Sequence, residues 1–302
     1  MSTHHQNTPA AAAGTWKLGG DLPVNRLGFG AMRLTGRAAF GAGGGRGGGA
    51  DRDRSVAVLR RAVELGVNHI DTAVFYFSPL LSANELINRA LTPYPDDLVI
   101  ATKVWPGRDP SGAWWWAEPA QLRGQVEENL RQLGRDHLDL VNLRVPPSRG
   151  AEPVGEHFAA LAALRDAGLV RHLGLSNVTA AQLAEARAIA PVACVQNAFG
   201  VGAPAAEREL LRACGEQGIA YVPFFAIAGA GREAGAPAAE DAAVLAVARA
   251  RGATPAQVRL AWTLSLGPHV LAIPGTGDPA HLAENVAAGA LRLTPEEIAS
   301  LG

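Results

Sequence analysis

A carboxylate, a phenol and an amine stand at the ends of two runs that read as strands. Asp71 and Tyr76 bracket Asp71-Thr72-Ala73-Val74-Phe75-Tyr76, and Lys103 follows Leu98-Val99-Ile100-Ala101-Thr102. Together they are the parts of a proton donor for carbonyl chemistry. A phenol in water has a pKa of about 10; a neighbouring ammonium favours the phenolate, and a carboxylate can hold that ammonium charged and oriented. A tyrosine tuned in this way protonates an oxyanion near neutral pH. Arg144 ends the next strand-like run. Its guanidinium is permanently charged and fork-shaped, so it cannot shuttle a proton. Three roles are open to it: polarising the oxyanion, binding a carboxylate or other acceptor on the substrate, or turning away into an ion pair with Asp139 or Glu152. Asn142, two residues earlier and on the same side by period-two alternation, would supply a neutral donor deeper in the fold.

The elements that must position these groups are legible as alternation. From Gly28 onward, apolar runs of about five residues alternate with helical periodicities of ten or more, which is the pattern of repeated βα units. Strands are expected near 28–32, 67–71, 98–102, 138–143, 170–175, 193–196, 220–224 and 270–273. The helices fall near 55–65, 83–91, 119–133, 156–167, 180–189, 205–217, 241–251 and 279–288, with a further short one at 255–266 that competes to be the principal helix of its unit. The pattern predicts an α/β chain forming a (β/α)8 TIM barrel over residues 14–302, after a disordered polar tail at 1–13. Residues 15–18 and 22–27, joined by Gly19-Gly20-Asp21, read as a β-hairpin capping the closed end. In such barrels catalytic groups lie at the C-terminal ends of strands. Asp71, Lys103, Arg144, Asn177, Gln196 and Phe224 all fall there.

Composition narrows the partners. The chain has 302 residues, 48% hydrophobic and 18% charged, enough for a sizeable core. Its 27 Lys and Arg nearly cancel its 28 Asp and Glu, and no basic stripe is interleaved with aromatics, so neither nucleic acid nor an anionic membrane is expected as partner. The two cysteines, Cys194 and Cys214, are expected to be reduced thiols. No apolar run reaches the ~18 residues of a membrane span and the start is polar, so a cytoplasmic location is expected. The remaining histidines, His137, His157, His172 and His269, lack ligand spacing, and no metal is expected. Gly43, Gly45 and Gly48 formally match G-x-G-x-x-G, but the glycines neither follow the strand tightly nor open the helix, so 41–49 reads as a flexible βα loop bordering the site. A second low-complexity stretch, 229–239, occupies a later βα loop that could close over a ligand.

Separated motifs run through nearly the whole chain in barrel order: Gly28-Phe29-Gly30-Ala31-Met32, His69-Ile70-Asp71-Thr72-Ala73 with Tyr76, Ala101-Thr102-Lys103, Gly174-Leu175-Ser176-Asn177-Val178, Val195-Gln196-Asn197, and Ile273-Pro274-Gly275 with Glu284-Asn285. With them the chain resembles the aldo-keto reductase family. The resemblance implies a nicotinamide-dependent reductase in which Tyr76 is the general acid, tuned by Lys103 and Asp71. The family usually has a histidine where this chain has Arg144, which leaves the fourth catalytic position open. Ser176, Asn177 and Gln196 match ligands of the nicotinamide carboxamide, and Phe224 an aromatic stacked on the nicotinamide ring. Phe225, Ala226 and Ile227 would offer amides to the pyrophosphate. Gly30, Met32, Asp71, Ile273, Gly275, Thr276, Asp278, His281, Glu284 and Asn285 complete the implied cofactor site.

NADP(H) is the first expectation from the family. NAD(H) stays open, because only His281 among these residues could carry positive charge and an inward Asp278 would repel a 2′-phosphate. Phe75, Phe77, Trp105, Trp114 and Trp115, with Asn142, are expected to form an aromatic-rich substrate mouth that favours an aromatic or alicyclic carbonyl. The leading expectation is reduction of a ketone or aldehyde by a monomer or weak homo-oligomer. Two alternatives follow from Arg144: a cofactor-binding sensor with little turnover, or a reductase of a polarised C=C or C=N bond.

Overall fold

The computed structural model describes residues 8–36, 51–150, 152–227 and 241–302. Seven parallel strands follow one another around a curled sheet: β3 (Phe29–Gly30), β4 (His69–Asp71), β5 (Val99–Val104), β8 (Leu138–Arg144), β9 (Val170–Ser176), β10 (Cys194–Gln196) and β11 (Ala220–Tyr221). Residues 270–272 close the ring. Leu271 donates its amide to Tyr221 O at 2.9 Å, and Gly28 donates to Ala272 O at 2.8 Å, so the last segment hydrogen-bonds to both free edges. A closed ring leaves no edge strand exposed. The (β/α)8 barrel expected from the alternation is therefore the observed fold.

The strands read as continuous apolar runs because both of their faces are covered. Every residue of β5 is buried, and in β8 only Arg144, at the mouth, is partly exposed. Outer faces pack on the helices. Several of those helices start at a short polar residue whose side chain accepts a main-chain N–H: Asp51 before Arg52–Glu64, Ser82 before Ala83–Leu91, Thr179 before Ala180–Arg187, and Asp278 before Pro279–Ala287.

At the closed end the hairpin of β1 (Thr15–Leu18) and β2 (Leu22–Asn25) inserts Leu18, Leu22 and Val24 among the inward residues Val99, Ala101, Leu140, Cys194, Val222 and Leu271. Asp21 in its turn accepts from Arg171 at 2.7 Å and contacts His172 Nε2 at 2.6 Å, both at the start of β9. The hairpin thus seals the end opposite the site.

Four details differ from the expectation. The tail was expected to run to residue 13, yet Pro9–Ala13 forms a 3-10 helix, with Ala10 fully buried and donating to Leu65 O at 3.0 Å, because the alanine run is apolar enough to pack. The first barrel strand is short, since Ala31–Thr35 turns into a 3-10 helix directly after Gly30. The loop after β5 carries an unforeseen hairpin, β6 (Pro106–Arg108) with β7 (Trp114–Trp116). A final helix, Pro295–Leu301, is closed by a reciprocal cap between Thr294 and Glu297. The glycine-rich loops expected at 41–49 and 229–239 lie outside the described residues.

Candidate active site

Strand alternation turns Asp71, Lys103, Asn142 and Gln196 into the barrel, each within two register positions of the next. Lys103 pairs with Asn142, Asn142 with Gly174, and Ser176 with both Arg144 and Gln196. Lys103, 1% exposed, donates through Nζ to Asp71 Oδ2 at 2.6 Å and to Thr72 O at 2.9 Å. Gln196 Nε2 donates to the other carboxylate oxygen, Asp71 Oδ1, at 2.8 Å. Asp71 is thus held from two strands. Nζ also lies 4.8 Å from the centre of the Tyr76 ring. Burial opposes a charge on Lys103, but the Asp71 carboxylate and then the Tyr76 oxygen outweigh it and hold the ammonium above the ordinary lysine range. Tyr76 itself is buried and set edge-on against Phe75, centroids 5.2 Å apart.

Beneath this group the barrel axis is narrow and mixed in polarity. A cavity of about 10 Å³ is lined by His69, Asp71, Asn142, Cys194 and Gln196 among apolar neighbours. Cys194 donates to Asn142 Oδ1 at 3.1 Å, and burial pushes its thiol pKa up, so it is an inert thiol here. Gly174 must be glycine, because a Cβ there would lie 2.1 Å from Asn142 Oδ1. His69 is held neutral: burial lowers its pKa to about 4, against the opposing effects of Asn25 O and Asp71.

Arg144 is brought to the mouth, one inward position beyond Asn142. Its NH1 donates to Ser176 Oγ at 2.9 Å, and its guanidinium lies 5.0 Å from the centre of the Phe224 ring. It does not turn away to an acid. Asp139 is taken by Arg135 at 3.2 Å, and Glu152 by Arg149 at 3.1 Å. Among the described residues Arg144 has no carboxylate partner.

Around this centre, Asn177 and Phe225 adopt left-handed backbone at φ 60° and 65°, which asparagine tolerates better than phenylalanine. Asn177 donates its side chain to Val145 O at 2.9 Å, and Gln196 Oε1 is buried with no partner among the described residues. Phe224, Phe225, Ala226 and Ile227 are all half-buried. Gly30 and Gly275 meet at the barrel seam: a Cβ on Gly275 would stand 2.5 Å from Gly30 O, and one on Gly30 would stand 2.7 Å from Ile273 O. Their lack of side chains is therefore required by backbone approach alone. Met32 is half-buried on the 3-10 helix nearby.

Asp278 does not point freely inward. It caps Pro279–Ala287, accepting from Ala280 N at 2.8 Å and His281 N at 3.3 Å, and it is ion-paired to Arg54 of the helix Arg52–Glu64. Arg54 was not singled out from sequence, and no signal in the sequence links two residues so far apart. Thr276 Oγ1 accepts from Asp278 N at 3.0 Å. His281 and Glu284 are exposed, whereas Asn285 is buried.

The aromatic wall is only partly assembled as expected. Trp114 lies 5.5 Å from Phe75 and 6.2 Å from Trp116, between ring centres, and Trp114 and Trp115 are each about 40% exposed. Arg108 braces the hairpin, donating to Phe77 O at 3.1 Å with its guanidinium 5.1 Å from the centre of the Phe77 ring. Trp105 does not join this wall. Its backbone turns at φ 93° and the ring stacks at 4.0 Å on His157, 2% exposed, because its amide is drawn to Gln125 Oε1 at 2.7 Å. No cluster of three or more His, Cys, Asp or Glu able to hold a metal occurs among the described residues, and no described helix is long and apolar enough to cross a membrane.

Comparison with known proteins agrees with this geometry. The sequence pattern of the Aldo/keto reductase family matches residues 26–302. Pyridoxine 4-dehydrogenase of Escherichia coli is 45% identical over 289 residues, covering 93% of this chain and 95% of that protein. Among solved structures, the thermostable aldo-keto reductase Tm1743 bound to the inhibitor epalrestat superposes with a TM-score of 0.77 at 29% identity, covering 95% of this chain and 98% of that one. An aldo/keto reductase from Klebsiella pneumoniae in complex with NADP and acetate gives a TM-score of 0.75 at 28% identity, over 95% and 93% of the two chains. With a match across nearly its full length and a barrel of the same form, this chain belongs to the aldo/keto reductase family of oxidoreductases.

Proposed function

We propose that the chain interconverts an aromatic aldehyde or ketone and its alcohol with NADP(H), using Tyr76 as the general acid. The observation that carries this reading is the buried Asp71–Lys103 pair with its ammonium beside the Tyr76 ring. In reduction Tyr76 donates its proton to the substrate oxygen, and Lys103 faces the negative charge left on the phenol. Asp71 keeps Lys103 charged, and Gln196 keeps Asp71 in place. Oxidation of the alcohol uses the same groups in reverse. Burial excludes water from all of them, which strengthens each electrostatic contact.

The cofactor fits the groups present. Gln196 Oε1, buried and without a partner among the described residues, can accept an N–H of a carboxamide, and the half-buried Phe224 ring offers a stacking face. Ser176 and Asn177 would complete the carboxamide site, residues 225–227 the pyrophosphate site, and Thr276, Asp278, His281, Glu284 and Asn285 the adenosine end. When bound, the nicotinamide supplies or accepts the hydride. Arg54 neutralises Asp278, the carboxylate otherwise hostile to a 2′-phosphate, and the related Klebsiella enzyme was solved with NADP. Both favour NADP(H).

The name of the E. coli relative points to a hydroxymethyl or formyl group on a pyridine ring, which suits the wall of Phe75 and Trp114. The test is a single-turnover measurement of NADPH oxidation with pyridoxal and a panel of aromatic aldehydes, comparing wild type with Tyr76→Phe. Hydride transfer in wild type that is lost in Tyr76→Phe is expected. Folded, NADPH-binding protein that reduces no carbonyl in the panel would overturn the reading.

A further inference from the structure

Arg144 carries a fixed charge where the family usually has a titratable imidazole, and among the described residues no carboxylate answers that charge. Among the described residues its polar and ring contacts are a hydroxyl, Ser176 Oγ at 2.9 Å, and the Phe224 ring at 5.0 Å. Neither is anionic. Three acids that could have paired with it are engaged elsewhere: Asp71 by Lys103, Asp139 by Arg135, Glu152 by Arg149. A half-buried cation without a counter-ion is poorly solvated, so it favours an anionic ligand strongly.

Ser176 and Phe224 are also the residues that the proposed function gives to the nicotinamide. A cofactor seated on them takes both of Arg144's contacts, which leaves the guanidinium fork available to whatever lies beside it. Nε and NH2 make no hydrogen bond among the described residues. Arg144 stands one inward position beyond Asn142, whose register partner is Lys103, so its side chain and the Lys103–Tyr76 pair share the inward face at the mouth of the barrel. A planar fork prefers two oxygens side by side.

We propose that Arg144 is a specificity-determining residue that binds an ionised hydroxyl adjacent to the reacting carbonyl, so that the preferred substrates are aromatic aldehydes with an acidic hydroxyl on the neighbouring ring carbon. The inference rests on the reductase reading for its substrate and adds the group that Arg144 recognises. The fixed positive charge favours the phenolate form of that hydroxyl. One N–H reaches the phenolate, and the neighbouring N–H reaches the carbonyl oxygen that Tyr76 protonates. Aldehydes lacking the hydroxyl, or carrying it across the ring, engage only half of the fork.

The experiment compares kcat/KM of the NADPH holoenzyme for 2-hydroxybenzaldehyde, 4-hydroxybenzaldehyde and benzaldehyde, in wild type, Arg144→Lys and Arg144→Met. Loss of a charge-assisted hydrogen bond corresponds to about tenfold to a hundredfold, so wild type is expected to favour the 2-hydroxy substrate over benzaldehyde by that factor. Arg144→Met should erase the ratio, and Arg144→Lys should keep part of it. A wild-type ratio near unity, or a ratio that survives in Arg144→Met, overturns the inference while leaving the reductase reading intact. Should no aldehyde be reduced, tryptophan fluorescence titration of the holoenzyme with the same three aldehydes decides it separately. Tighter binding of the 2-hydroxy compound that disappears in Arg144→Met supports the inference without turnover, and equal binding of all three refutes it.

Discussion

Two half-buried arginines, one at each end of the barrel, lack a carboxylate partner among the described residues, and they solve the problem in opposite ways. At the closed end Arg26 donates to the main-chain carbonyls of Ala13, Leu264, Gly267 and Val270, at 3.1, 2.5, 2.6 and 3.1 Å. Burial lowers its pKa, but the carbonyl cluster satisfies its donors. It ties the N-terminal 3-10 helix, the last long helix and the closing strand together. At the mouth Arg144 has one hydroxyl and one ring. The same side chain is a structural clamp where the backbone supplies enough acceptors, and a ligand receptor where it does not. Lys103 shows a third arrangement, in which one buried acid holds the ammonium beside the Tyr76 ring.

If that division holds, damage at the mouth should remove chemistry and damage at the closed end should remove stability. The largest expected effect is on turnover. Tyr76→Phe keeps the ring contact with Phe75 but removes the proton, and general acid catalysis contributes about 10²–10⁴-fold. Single-turnover rates should fall by that factor while denaturant midpoints stay close to wild type. A comparable fall in both would mean that Tyr76 is mainly a packing residue. Arg26→Ala should do the opposite. It leaves several buried carbonyls without donors, a loss of about 2–4 kcal/mol in total unfolding free energy. Urea unfolding would show it, and the folded fraction should retain kcat/KM within about twofold, since nothing at the mouth is touched. Loss of activity without loss of stability would break the contrast between the two ends.

What could be read from sequence divides along the same line. Asp71, Arg144 and Gln196 end their strands, Lys103 stands next to the end of its own, and Asn142 lies two residues deeper on the inward face, as period-two alternation and strand length lead one to expect. The capped end was legible as well, through the glycine turn between two short apolar runs. Contacts set by long-range geometry were not. The pairing of Arg54 with Asp278 spans 224 positions, and the engagement of Arg144 by Ser176 depends on the register of β8 and β9. The tryptophan hairpin was half legible. Asp109-Pro110-Ser111-Gly112 is a turn signal, and Gly107 leaves room for Trp115, whose ring a Cβ would meet at 2.1 Å. Trp105 defeated composition altogether, since its outward turn onto His157 follows from a backbone φ of 93°.

A smaller effect tests the closed half through pH. His69 has its folded pKa lowered by burial to about 4, while an unfolded imidazole titrates near 6.5. Between those values the unfolded chain binds more protons, so stability is complete above about pH 6.5 and declines as pH falls toward 4. At pH 5 the loss from this group is about 2 kcal/mol. Unfolding free energies measured from pH 7 to 5 should fall less steeply in His69→Gln than in wild type. Identical slopes would assign the acid sensitivity between pH 7 and 5 to other groups that titrate in that window.

The smallest expected effect lies at the adenosine end, where Arg54 supplies the counter-ion that Arg144 lacks. Asp278 is directed at the amides of Ala280 and His281, and Arg54 covers its remaining charge. Both partners are partly solvated, so the pair contributes little to folding. Its consequence is for binding. Removing Arg54 would leave an uncovered carboxylate near the proposed 2′-phosphate site, while NADH has no phosphate there to repel. Arg54→Ala should weaken NADPH relative to NADH by about threefold to tenfold, less at high salt, because exposed charges are screened over about 8 Å at physiological ionic strength. Adding Asp278→Asn should restore most of the ratio, since asparagine still caps the helix but carries no charge. Fluorescence titration of both nucleotides at two salt concentrations measures it. A ratio unmoved by Arg54→Ala would place the 2′-phosphate away from this pair, and cofactor preference would then have to come from His281 or from the helix N-terminus itself.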